Sequence, residues 1–98
     1  LKNFRDKRNW KQFHTPSNLA KSILIEASEL LENFQWDEKN FDLENIKHEL
    51  ADVMAYCLML SEHYNLDIET IINEKIDINE KKYPINKAYN TAKKYTEL

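Results

Sequence analysis

Apolar residues recur along this chain at spacings of three and four, with polar stretches between the recurring sets. Over 16–34 the set is Ala20, Ile23, Leu24, Ala27, Leu30, Leu31 and Phe34, which lines one face of a helix. Thr15 before Pro16 reads as the N-cap of that helix, with proline at its first position. Upstream, 1–13 reads as a polar helix whose apolar points are Leu1, Phe4 and Trp10. It ends near His14-Thr15-Pro16, because the residue before a proline avoids the helical region. A third helix is predicted over 42–64, with Asp42 as its cap. Its middle, 50–60, is apolar nearly all round, which predicts a central position or burial against a second subunit. A fourth is predicted over 67–83, with Ile68, Ile71, Ile72, Ile76 and Ile78 as its stripe. The link 35–40 is polar except for Trp36, and the tail 85–98 is polar and without an assigned element.

Composition narrows the picture. The chain of 98 residues has no glycine and two prolines. That disfavours tight hairpins and glycine-rich phosphate loops and favours helices on short polar links. The expectation is one all-α domain over 1–98, a four-helix bundle. The net charge of −3 lacks the basic footprint of a non-specific nucleic-acid binder. A lone cysteine, Cys57, permits no internal disulfide and reads as a small buried hydrophobe in a cytoplasmic setting. The longest apolar run, 53–60, is too short to span a bilayer. Neither nucleic acid nor membrane is expected as a partner.

The chemistry lies in two acidic pairs, Glu26-Ala27-Ser28-Glu29 and Glu49-Leu50-Ala51-Asp52. Residues three apart share a helix face, and each pair sits in the most apolar part of its helix. Four buried, unpaired carboxylates are costly. A divalent cation with a preference for hard oxygen ligands removes that cost. If the second and third helices pack antiparallel, the pairs face one another as an acidic box. Solvated helix faces also carry acidic pairs, and one pair alone would mean little. Glu32, Glu38, Glu44, Glu62, Glu69, Glu74 and Glu80 read as ordinary solvated charges. A di-iron reading needs Glu-x-x-His pairs, and none of His14, His48 or His63 has a glutamate three residues before it.

These residues resemble the signature of the MazG-like, all-α nucleotide pyrophosphohydrolases, and most closely their dCTP pyrophosphatase branch. Arg8-Asn9-Trp10-Lys11-Gln12-Phe13-His14 and Pro16-Ser17-Asn18-Leu19 are similar to that branch's N-terminal segment. Phe34-Gln35-Trp36 is similar to its helix-two exit. Lys75-Ile76-Asp77-Ile78-Asn79, Lys82-Tyr83-Pro84 and Lys93-Lys94-Tyr95-Thr96 are similar to its C-terminal part. The resemblance implies a four-helix core, assembly as a homodimer or homotetramer, and Mg²⁺ (or Mn²⁺) held by Glu26, Glu29, Glu49 and Asp52. It implies hydrolysis of dCTP or a modified dCTP to the monophosphate and pyrophosphate. A carboxylate not fully used as a ligand would take the water's proton; Glu29 is taken as that carboxylate, although sequence does not separate ligand from base. Trp10, His14, Trp36 and Tyr56 match positions near the nucleotide; Asn79, Lys82 and Tyr83 match a segment that closes over it. Leu1 stands where that branch carries a substrate-contacting histidine.

Each residue also has a plainer reading. Trp10 and Trp36 suit base stacking at helix ends or simple packing. Tyr56 is a sugar or phosphate contact, or a core tyrosine. His14 touches base or sugar, or hydrogen-bonds near the cap; Asn18 contacts the nucleotide, or only supports the helix start. Lys75, Lys82 and Lys94 would neutralise the departing pyrophosphate, or are solvated charges. The alternatives for the whole chain are the same fold acting on dUTP, other non-standard nucleotides or phosphoribosyl-ATP, a non-catalytic nucleotide sensor, and a helical interaction module.

Overall fold

The structure, a computed structural model, describes residues 1–36, 38, 39 and 42–98. Within the predicted link 35–40, Asp37 and Asn40 lie outside the described residues. The fold is all-α, with five α-helices among the described residues: α1 (Lys2–Lys7), α2 (Pro16–Glu32), α3 (Leu43–His63), α4 (Ile68–Lys82) and α5 (Ile85–Ala88). They fall into two compact units, Leu1–Asn65 and Leu66–Leu98.

In the first unit, the predicted helix over 1–13 is broken. α1 stops at Lys7 and a 3₁₀ turn follows over Lys11–Phe13. The stop lies at Asn9, whose φ of 53° is left-handed. Asn9 N–H donates to the Asp6 carbonyl at 3.1 Å and Trp10 N–H to that of Arg5 at 3.1 Å, the bond pair of a Schellman ending. Asparagine tolerates this backbone region better than other residues with a Cβ. Asn65 (φ 54°) and Asn90 (φ 63°) are left-handed as well, and no glycine is present to take these places.

The starts of α2 and α3 match the predicted caps. Thr15 Oγ1 accepts from Asn18 N–H at 3.2 Å, with Pro16 at the first helical position. Asp42 accepts from the N–H groups of Glu44 (3.0 Å) and Asn45 (3.4 Å). Asn33 closes α2: its amide donates to the Leu30 carbonyl at 3.1 Å, and its Oδ1 accepts from Asn45 Nδ2 at 2.6 Å. That bond joins the end of α2 to the start of α3. Leu19 near the start of α2 and Met59 near the end of α3 line one cleft, so the two helices run antiparallel.

The core of this unit is thin. Among the described residues Leu19 (2% exposed) and Met59 (8%) are the buried apolar side chains. Leu50, Met54 and Leu58 on α3, and Leu24, Ile25 and Leu31 on α2, are exposed. The central, fully covered position predicted for the middle of α3 is therefore not realised within this chain. Cys57 is half-buried and reduced.

In the second unit α4 starts at Asp67, which accepts from the N–H (3.0 Å) and Oγ1 (2.7 Å) of Thr70. The tail left unassigned in sequence holds α5 and a 3₁₀ turn, Tyr95–Glu97. Tyr95 returns to the end of α4: its ring meets that of Tyr83 edge-on at 6.0 Å, and Lys82 Nζ lies 4.7 Å from its centroid.

Candidate metal and nucleotide site

The antiparallel α2–α3 pair sets Glu26 opposite Glu49 and Asp52. Each offers a carboxylate oxygen, and these oxygens lie within 4.8 Å of one another. Glu26 and Glu49 are half-buried and Asp52 is exposed. Glu26 Oε2 is buried with no hydrogen-bond partner among the described residues. Such an orphaned atom is costly, unless a ligand meets it. An all-oxygen donor set with a buried, unpartnered oxygen fits a hard divalent cation.

Burial raises the Glu26 carboxyl from its ordinary value to about 6, helped by a hydrogen bond and repulsion from Glu29 and by Asp52 and Glu49. Glu49 is raised for the same reasons, burial first and then Glu29, Asp52 and Glu32. Crowded like charges with no cation produce such upward shifts. Glu29 thus belongs to the cluster's field, beside Glu26 and Glu49, but outside the close trio. Glu32, read in sequence as a solvated charge, also reaches Glu49. The signal for it was present: Glu26, Glu29 and Glu32 continue one spacing of three.

Tyr56 follows Asp52 by one turn of α3, and both line a cleft of about 350 Å³ with Leu1, Phe4, Trp10, His14, Ala55 and Met59. The break after α1 brings Trp10 back beside Phe4, edge-on at 5.6 Å, while the Arg8 guanidinium sits 3.8 Å from the Phe4 centroid. His14 meets Tyr56 edge-on at 6.4 Å, and its Nδ1 is buried without a partner among the described residues. Of the predicted contacts, the structure therefore gathers Trp10, His14 and Tyr56 at the acidic cluster. Leu1, which stands where the resembled branch carries a substrate-contacting histidine, lines the cleft; Phe4 and Met59 were not singled out in sequence as site residues, since apolar side chains carry no chemical signal.

The other predicted residues have surroundings of their own. Trp36 is 88% exposed. Asn18 spends its side-chain amide on the Phe13 carbonyl at 3.0 Å, which supports the helix start. Lys75, Asn79, Lys82, Tyr83 and Lys94 belong to the second unit. There Lys75 and Lys94 are exposed, Asn79 is half-buried, and Lys82 and Tyr83 are engaged by Tyr95.

An all-helical chain with paired carboxylates facing across two antiparallel helices defines a class, and comparison with known proteins places it. Residues 21–98 match the model of the MazG-like family, and the chain belongs to that family. It is 34% identical to human (Homo sapiens) dCTP pyrophosphatase 1 over 97% of this chain and 61% of that protein. It is 33% identical to the Bos taurus protein of the same name over 97% of this chain and 62% of the relative. The chain thus spans about three fifths of the length of the curated relatives it matches. Among solved structures, a pyrophosphatase from Archaeoglobus fulgidus DSM 4304 is similar with a TM-score of 0.76 and 40% identity, over 85% of this chain and 84% of that one.

Proposed function

We propose that this chain is a Mg²⁺-dependent nucleoside triphosphate pyrophosphohydrolase. In this reading its substrate is dCTP or a modified dCTP, released as the monophosphate and pyrophosphate. The observation that carries the proposal is the carboxylate trio opening beside an aromatic-lined cleft. The names of the relatives, dCTP pyrophosphatase and pyrophosphatase, support the same chemistry.

Glu26, Glu49 and Asp52 would hold the cation, which offsets the repulsion between carboxylates and phosphate oxygens and acidifies a bound water. Glu29 stands beside the trio, where a carboxylate not committed to the cation accepts the proton of the attacking water. The water oxygen bonds to the α-phosphorus, and the bond to the α–β bridging oxygen breaks with pyrophosphate as the leaving group. Trp10 and Tyr56 bound the nucleoside side of the cleft, and the buried Nδ1 of His14 seeks a polar group of base or sugar. Trp36 is proposed as a further stacking surface and Asn18 as a support of the cleft wall. For Lys75, Asn79, Lys82, Tyr83 and Lys94 the proposal rests on side-chain chemistry and resemblance. Ammonium, amide and phenol donors suit phosphate oxygens.

Residues 1–98 are proposed to serve one functional domain, and the exposed apolar faces of α2 and α3 to be covered by further copies in a homodimer or homotetramer.

The test is turnover of a panel of common and modified dNTPs and NTPs with Mg²⁺, pyrophosphate and monophosphate being quantified. Preference for dCTP or a methylated dCTP is expected. Asp52→Asn should abolish turnover together with metal binding. Glu29→Gln should lower kcat about 10²–10⁴-fold while metal binding persists. Preference for dUTP or another nucleotide would overturn the substrate assignment. Metal binding with no turnover on any nucleotide would overturn the enzymatic reading in favour of a sensor.

A further inference from the structure

A second cleft of the first unit, of about 380 Å³, has the opposite character from the carboxylate cluster. Lys2, Arg5, Lys11, His14 and His63 line it, against one carboxylate, Glu62. Lys2, Arg5 and Lys11 are a concentration of cationic groups on a chain whose net charge is −3. None of the cluster carboxylates lines it.

Arg5 is built into the wall. Its residue is 6% exposed, its Nε donates to Asp6 at 3.0 Å, and its Nη2 lies 3.5 Å from Glu62. A buried arginine held on two sides by carboxylates is fixed in the wall, with little side-chain freedom left to lose. Lys2 reaches the same Glu62 oxygen at 3.6 Å, so Asp6 and Glu62 together offset Lys2 and Arg5, and the positive charge left over is that of Lys11. Lys11 makes no ion pair among the described residues.

We propose that this cleft is a binding site for a small phosphate-bearing anion, separate from the carboxylate cluster. The site rests on the basic cleft itself and stands whether or not the chain hydrolyses nucleotides. Two sources share the chemistry: free phosphate or pyrophosphate, and the phosphoryl group of a nucleoside monophosphate.

The test uses the full chain in EDTA at neutral pH, where the carboxylate cluster repels anions. Inorganic phosphate, pyrophosphate and dCMP are titrated separately at constant ionic strength, and the amide and imidazole NMR signals of Lys11 and His63 are followed. Saturable shifts are expected, weakened about fivefold or more by Lys11→Gln. Lys11 is exposed and unpaired, so this variant should keep the fold. Lys47→Gln, which removes the partner of Glu44 on exposed α3, should leave the affinity unchanged. Tighter binding of phosphate or pyrophosphate assigns the site to a free anion, and tighter binding of dCMP to a nucleotide's phosphoryl group. The proposal is overturned if no saturable shift appears at these residues. It is overturned equally if Lys11→Gln leaves the affinity as it was, or if Lys47→Gln weakens it as much.

Discussion

Glu26 concentrates the electrostatics of the acidic cluster in one side chain. Its carboxyl, ordinarily near 4.5, titrates at about 6 in the fold without a cation. A carboxyl whose folded value is raised binds more protons folded than unfolded between those two values, so stability falls as pH rises through that window. The metal-free chain should therefore lose thermal stability between pH 4.5 and about 6. Glu26→Gln should flatten that slope and, at pH 7, melt higher than wild type without metal. Added Mg²⁺ or Mn²⁺ should reverse the order by stabilising only the wild type. Melting curves of both proteins, with EDTA and with each cation, check all three statements. An Mg²⁺-independent melting point would sink the assignment of the trio as a cation site. The four acids were legible because carboxylates at helical spacing inside apolar segments contradict the usual economy of burial. Glu32 was read as solvated although it continues the spacing of Glu26 and Glu29, because only the proximity of α3 gives its charge a neighbour to act on.

Helix starts were more legible than helix ends. Thr15, Asp42 and Asp67 carry side-chain oxygens aimed at free N–H groups, and the sequence shows such oxygens directly. The break after α1 was missed because no proline or glycine marks it. The residue that makes the turn is an asparagine in an otherwise helix-compatible stretch. The tail 85–98 was missed for a related reason. Its return rests on Tyr95 against Tyr83 and Lys82, a contact between residues more than ten positions apart that no local pattern encodes. At this scale Asp67 carries a prediction. Hydrogen bonds from Thr70 hold its carboxyl below the usual range. A carboxylate lowered in the fold stabilises above its unfolded value, and the benefit is lost as pH falls through the folded one. The start of α4 should therefore fray in acid before its middle does. Amide exchange at Thr70 should accelerate on acidification relative to Asn79 beyond the intrinsic change. Asp67→Asn, which keeps a capping oxygen without the charge, should abolish the difference.

For the molecule as a whole, the sequence revealed the amount of apolar surface but not where it would be covered. The pattern on α3 was read as central or as buried against a second subunit, and Leu50, Met54 and Leu58 are exposed, as are Leu24 and Leu31 of α2. A two-helix layer in a chain this small buries too little to do without covering. Association through that layer is expected to make the melting temperature rise with protein concentration. In sedimentation equilibrium Leu58→Glu should shift the protein toward monomer. A wild-type chain that sediments as a monomer at all concentrations would overturn the homo-oligomer. Among the described residues no helix is long and apolar enough to cross a membrane.

The left-handed asparagines have a consequence for the chain before it folds. Glycine would adopt their backbone angles without strain, but each glycine widens the set of conformations open to the unfolded polypeptide. A chain with none at all has a stiffer denatured ensemble. Asn9, Asn65 and Asn90 let the polypeptide turn corners while every residue keeps a side chain. The strain at those corners is exchanged for a smaller loss of disorder on folding, which matters most where the buried core is only a few side chains deep.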